Sequence, residues 1–426
     1  MVFGLLITLE AWGAIATGWV RRVLVEPQFT FNFIGFDFFQ TFPGTGPQMY
    51  VWFVVMGCFG VMVMLGYKYR VGIIGYAIMW SVVYLMQKTA YNNHYYLLML
   101  LLWIMALLPA AKAMSLDAKF NPEKRDTSMP NWVILFIIAQ LWIVYTYASI
   151  AKLYPDWLDA SVPQILMRGR KDYWLVGDLL QERWIHWTVA YVGILFDGLI
   201  IPALLWKKTR KWAFGISIFF HLFNSIVFQI GIFPYMSLAF SLFFFPTKTV
   251  YNLFAKRWKE YYQGDEVRIP STKNIGIATL GIYLIIQIAL PIRHHFIPDN
   301  VLWTEEGHRL SWRMMLRTKT GTVGFSVVDK NTNKRTIIRL KDYLSPKQQR
   351  TVKSKPDVIW QFAQILKKDF ASKGQDVAVY ATCSVKVNGR KYQRLIDPEV
   401  DLGSVSWNYF GHTDWVLESE DYLEKE

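Results

Sequence analysis

"NWVILFIIAQLWIVYTYASIAK", Asn131 to Lys152, decides the fold, because only the last of its residues is charged. A helix needs roughly 20 predominantly apolar residues to cross the hydrocarbon core of a bilayer. This run is long enough, and nothing on it forms a charged face for water. Runs of the same kind recur at 2–20, 48–66, 71–87, 94–113, 184–206, 212–230, 233–246 and 274–291, which makes nine candidate spans. The run at 233–246 is short for a full crossing. The stretch from Trp212 to Pro246 therefore reads as a tight hairpin turning near Gly231 and Pro234.

Working outward, the whole chain has 426 residues, of which 53% are hydrophobic and only 18% charged. That is too apolar for an ordinary soluble protein of this size. The apolar runs stop at Ile292, and from Arg293 onward polar and apolar residues alternate. The expected fold is an α-helical multi-pass membrane bundle of about nine spans, residues 1–292, followed by a small α+β extramembrane domain, residues 293–426. A net charge of +14 would suggest nucleic acid in a soluble protein. Here the basic residues cluster between apolar runs, which marks membrane topology, with lipid as the partner and no nucleic acid. Loops 68–70, 112–125, 207–211 and 248–273 carry sixteen Lys and Arg, against seven on the alternate loops. The first set is expected in the cytoplasm, which puts the amino terminus inside and the tail outside, in a periplasm or lumen. Cys58 and Cys383 lie too far apart in sequence character, one in an apolar run and one in the tail, to found a disulfide framework or a metal cluster. The opening "MVFGLLITLEAWG" has no cleavage site and lacks the basic flank usual before a first span, the pattern of a trimmed start.

In the tail, "GTVGFSVVD" alternates like a half-buried strand, and "DVAVYATCSVKVNGRKYQRLID" reads as two strands joined at Asn388-Gly389. Between them Ser345-Pro346 opens a helix expected to run to about Ala371 and to stop before Gly374.

Ionisable groups inside apolar spans are costly unless paired, so each has a functional and a bland reading. "QKTAYNNHYYLL" puts Lys88, Asn92, Asn93 and His94 at the outer end of the fourth span; the bland reading is a polar loop with its tyrosines in the aromatic belt. Lys152 closes the fifth span on the same side. It is either a lysine snorkelling to the interface or, beside the small residues of "TYASIA", a base facing a desolvated cavity. His221 and Asn224 are three apart on the seventh span and share a face; the bland alternative is an interhelical hydrogen-bond pair. Asp197, in "ILFDGLIIP", is a mid-span carboxylate that requires a partner, such as a buried cation.

Together "KTAYNNHYYL", "IAKLYPDWL", "FHLFNSIVFQIGIFPYMSLA", "SWRMML" and "RLIDPEVDL" resemble, in order and separation, the vitamin K-dependent gamma-glutamyl carboxylase family and its bacterial HTTM-type relatives. The resemblance implies a peptidyl-glutamate 4-carboxylase with coupled vitamin K epoxidase activity, acting on a glutamate-containing peptide or protein. Its cofactor would be reduced vitamin K, phylloquinone or menaquinone hydroquinone, with O2 and CO2 as co-substrates and no metal. Lys152 matches the family lysine proposed as the base that deprotonates the hydroquinone, and His94 and His221 match active-site histidines. Asn92, Asn93, Tyr95 and Asn224 are the implied cofactor contacts. The resemblance also implies a multi-pass inner membrane protein of bacterial type. Ala151 stands where the animal enzymes have a second lysine, neither cysteine matches their disulfide, and Glu426 follows soon after the last match. Propeptide-directed, processive modification is thus outside what the resemblance implies. Two other readings stay open: a non-catalytic quinone or lipid binder whose outer domain engages a partner, and a related membrane redox enzyme of the same fold.

Overall fold

The computed structural model describes residues 1–126, 131–254, 271 and 273–420. In chain order its apolar helices are α1 (Val2–Ala16), α2 (Gln48–Leu65), α3 (Tyr69–Met86), α4 (Asn93–Leu107), α5 (Asn131–Ile150), α6 (Arg183–Leu205), α7 (Arg210–Phe223), α8 (Phe233–Ser241) and α9 (Lys273–Ile292). By length and composition, α2, α3, α5, α6, α7 with its extension to Phe228, and α9 suffice to cross a membrane; α1, α4 and α8 are apolar but shorter. The nine expected spans thus resolve into six of crossing length and three short ones among the described residues. Much of the basic loop 248–273 lies outside the described residues.

Local chemistry explains the shortfalls. Pro109 pushes Leu108 out of the helical region, to φ −77° and ψ 140°, and so ends α4 six residues before the expected boundary at 113. Beyond α7 the chain makes a π turn over Asn224–Phe228 and then leaves the helix at Gln229, whose φ is 55°. Gly231, φ 63°, completes the reversal, and Pro234 sits in the first turn of α8, where its missing N–H costs nothing. The hairpin is therefore where the glycine and proline put it. At Gly4 on α1 a Cβ atom would lie 2.2 Å from the Met64 nitrogen, so the backbones of α1 and α2 touch there.

The tail is a four-stranded antiparallel sheet, β1 (Lys319–Asp329), β2 (Arg335–Ile338), β3 (Val377–Val387) and β4 (Gln393–Ile396), in the order β2-β1-β3-β4. Asn388 (φ 52°) and Gly389 (φ 79°) both adopt the left-handed conformation at the β3–β4 turn. The single helix expected from Ser345 is two, α10 (Pro346–Val352) and α11 (Pro356–Ser372), because Pro356 forces Lys355 into an extended conformation. Ser345 and Gln348 close a reciprocal cap on α10. The core between α11 and the sheet holds Phe325, Phe362, Leu366 and Val379. It is completed by Phe29 and Phe31 from the segment between α1 and α2.

Candidate functional site

The entry to α4 is built by the "KTAYNNH" stretch. Asn92 is extended and its Oδ1 accepts the Tyr95 backbone N–H at 2.7 Å, a helix cap that aims the next residues. Asn93 accepts from the Tyr91 hydroxyl at 2.8 Å and donates to the Arg313 carbonyl at 3.1 Å. Lys88 is buried and pairs with Asp357 of α11 at 2.7 Å, a carboxylate that Arg309 also holds at 2.5 Å. Burial alone would raise the Asp357 carboxyl, but Arg309 and Lys88 bring it down to about 2. Burial pushes the Lys88 amine down to about 8 against the pull of Asp357. The motif at the start of α4 is thus the seat on which the tail rests.

Between seat and tail lies a cavity of about 390 Å³ whose walls include Asn92, Asn93 and His94 from the bundle and Arg309, Arg313 and Lys355 from the tail. A smaller one of about 190 Å³ adjoins it, walled by Arg317 and Lys319 and sharing Arg313 and Lys355. Desolvation brings Lys355 to about 8 and Lys319 to about 7, with Glu305 pulling each back up. Glu305 is the acid they share, and Arg317, Lys355 and Lys319 overcome its own burial to keep it ionised. Cations outnumber acids here, which suits an anionic ligand.

Deeper in the bundle, the rings of His94 and His221 both lie against Phe233, at 4.7 and 5.8 Å between centroids. His221 is fully buried and its Nε2 shares a hydrogen bond with the Tyr145 hydroxyl at 2.9 Å. Phe196 stacks on Phe220 at 3.7 Å and meets His221 edge-on at 5.7 Å. The Nδ1 atoms of His94 and His221 are buried and make no hydrogen bond among the described residues. Buried polar atoms are nearly always satisfied, so these two nitrogens remain available to a further partner.

Lys152 follows Phe196 by one step: its Nζ lies 2.6 Å from Oδ2 of Asp197, the neighbour of Phe196 on α6, and donates to the Ala148 carbonyl at 2.9 Å. The face of Trp157 lies 5.6 Å away. The mid-span acid flagged by the sequence thus has Lys152 as its cation. Of the residues singled out from sequence, His94, Asn92 and Asn93 meet at the domain-interface cavity, while His221 and Lys152 lie in the aromatic and polar chain leading inward from it. Asn224 bonds back to the Phe220 carbonyl at 2.9 Å, and the Tyr95 ring packs against Trp80 at 5.0 Å; neither lines the cavity. Sequence reasoning passed over Tyr145, Phe233, Arg309, Arg313 and Lys355. Arg313 stood in plain view in "SWRMML", as a charge inside a matched motif, and Tyr145 in the run before Lys152; Lys355 and Arg309 carried no local signal.

Residues 1–248 match the family model of the HTTM domain, and residues 272–422 match that of the vitamin K-dependent gamma-carboxylase lumenal domain. No solved structure matches the chain. The first matched segment holds α1 to α8 and the second holds α9 and the tail, so the chain is a membrane protein of the vitamin K-dependent gamma-carboxylase family, an HTTM domain joined to the family's lumenal domain.

Proposed function

We infer that this protein is a peptidyl-glutamate 4-carboxylase coupled to vitamin K epoxidation, adding CO2 to glutamate in a peptide or protein. The observation that carries the reading is the cavity where His94 of the bundle meets a surplus of tail cations, Arg309, Arg313 and Lys355. A glutamate carboxylate is held by such groups in charge-assisted hydrogen bonds. The residues also fit reduced vitamin K, phylloquinone or menaquinone: an aromatic group of Phe196, Phe220 and Phe233 around His221, and two imidazole nitrogens still open to a hydroxyl. When bound, the reduced cofactor with O2 supplies basicity that no side chain has toward a glutamate γ-C–H. The chain's own part is to exclude water with its apolar bundle, to orient with His94, His221 and Asn93, and to take a proton at Lys152 Nζ. Asp197 and the Ala148 carbonyl hold that Nζ in place.

We extend the inference to topology: nine crossings in a bacterial inner membrane, with the amino terminus inside and the tail outside, supported by the sixteen-to-seven distribution of basic residues. The test is incorporation of radiolabelled bicarbonate into a glutamate-containing peptide with and without reduced vitamin K. Label that depends on the quinol supports the reading, and its absence in active-folded protein removes it. A second reading, a non-catalytic quinone binder, draws on the Lys152–Asp197 pair, which would also serve as a clamp between α5 and α6. Copurified quinone without turnover would favour it.

A further inference from the structure

Just beyond Lys152 the tail takes hold of the bundle. A single helical turn, Pro155–Leu158, carries Asp156 and Trp157 side by side, both buried. Asp156 turns to the tail: Arg390 donates to its Oδ1 at 2.6 Å, and the Asn388 amide donates to its Oδ2 at 2.8 Å. Trp157 turns to the bundle, where its Nε1 donates to the Ala190 carbonyl of α6 at 3.1 Å and its ring lies 5.6 Å from Lys152 Nζ. Gly193, about one turn further along α6, shows how closely the two side chains share their bed. A Cβ there would be 3.9 Å from Trp157 Cζ2 and 4.0 Å from Lys152 Cε. On the tail side, Asn388 exchanges two bonds with Thr318: its Oδ1 accepts the Thr318 N–H at 3.0 Å, and its own N–H donates to the Thr318 carbonyl at 2.9 Å. Thr318 stands between Arg317 and Lys319, two walls of the smaller cationic cavity.

We propose that Asp156 is a positioning residue for Lys152: held by Arg390 and Asn388, it fixes the one-turn helix that lays Trp157 against the amine. The inference rests on the reading of Lys152 as the base that takes the quinol proton. Lys152 lies past the end of α5 at Ile150, and its four-carbon stem is flexible. Asp197 and the Ala148 carbonyl restrain the amine by hydrogen bonds, and the Trp157 face restrains it from a further side. Such restraint matters to a base, because a misplacement of about 1 Å costs on the order of 10²-fold in rate. A buried carboxylate paired with an arginine makes a firm anchor, since removing one partner leaves the other charge uncompensated. The same anchor reaches the cationic cavity through Asn388 and Thr318, so base and cavity wall are built on one strut. If Asp156 only tied the domains together, its loss would lower stability without a selective loss of turnover.

The test separates rate from binding and then asks whether the effect passes through Lys152. In Asp156→Ala, kcat for epoxidation and for carboxylation should fall together by about 10- to 100-fold, with KM for a glutamyl peptide and for the quinol unchanged. Arg390→Ala should give the same split. In the Lys152→Ala background, where the amine is gone, Asp156→Ala should take nothing further from the residual rate. Arg313→Gln, which removes a cation from the cavity wall, should still lower kcat/KM for the peptide in that background. A raised KM at unchanged kcat, or losses that multiply in the Asp156→Ala, Lys152→Ala double variant, overturns the proposal and leaves Asp156 a tie between domains. If Lys152→Ala keeps near-normal turnover, the reading of the base fails and the proposal falls with it. When Lys152→Ala is slow and Asp156→Ala is not, only the proposal falls. Should Asp156→Ala not fold, Arg390→Ala, alone and with Lys152→Ala, decides, because it cuts the same pair from the tail side.

Discussion

Lys152 has two of its hydrogen-bonding directions fixed, by Asp197 and by the Ala148 carbonyl, and Trp157 covers a third side. A general base contributes typically about 10²–10⁴-fold to rate, so Lys152→Ala should lower carboxylation and epoxidation together by that order while quinone binding persists. Lys152→Arg should not rescue, because a guanidinium stays protonated. Near-normal turnover in either variant would make the lysine only a clamp. The cationic cavity gives a different signature. Lys319, at about 7, and Lys355, at about 8, lose their charge as pH rises, while the substrate carboxylate stays ionised. The attraction is therefore present at low pH and lost upward through these values. KM for a glutamyl peptide should rise by about tenfold between roughly pH 7 and 9, the worth of one charge contact, with kcat not following it. A KM flat across this window would separate the lysines from substrate binding.

At the scale of elements, the residues that end or turn a helix were legible wherever a single covalent fact governs. Gly231 and Pro234 located the α7–α8 hairpin, Ser345-Pro346 the start of α10, and Asn388-Gly389 the β3–β4 turn. Pro356 was as informative and was read through; the extended Lys355 before it shows why the expected helix is two. β2 escaped because it is four residues long, and three of them are exposed. The site was legible as a set of chemistry-bearing residues, but not as a geometry. Lys88, Asn93 and His94 announced themselves as polar groups in an apolar setting, whereas their partners Asp357, Arg309 and Arg313 are ordinary residues of a soluble tail until the fold brings them over. Close helix packing is similarly silent in sequence. Gly4→Ala would place its Cβ 2.2 Å from the Met64 nitrogen, so α1 and α2 must part. Overpacking of this kind costs typically about 1–3 kcal/mol, which should appear as a lower melting temperature in detergent; an unchanged one would mean that α1 shifts freely.

For the molecule as a whole, the positive-inside bias sets an expectation for the tail. A reporter active only in the cytoplasm, fused to the carboxyl terminus, should stay silent, and strong activity would reverse the assignment. The tail does not sit on the bundle as a separate body. Phe31 is fully buried in the tail's core and Phe29 stacks against Phe362 at 6.4 Å, although both precede the second apolar helix. Gln348 grips the Phe29 carbonyl at 2.7 Å. A strand of chain made early in synthesis therefore waits for a core that is made last, and until then two phenylalanines have no hydrophobic home. Exchanging the tail for that of a relative would succeed only if the 21–47 segment travelled with it, so the two halves must drift through evolution as partners rather than as interchangeable modules.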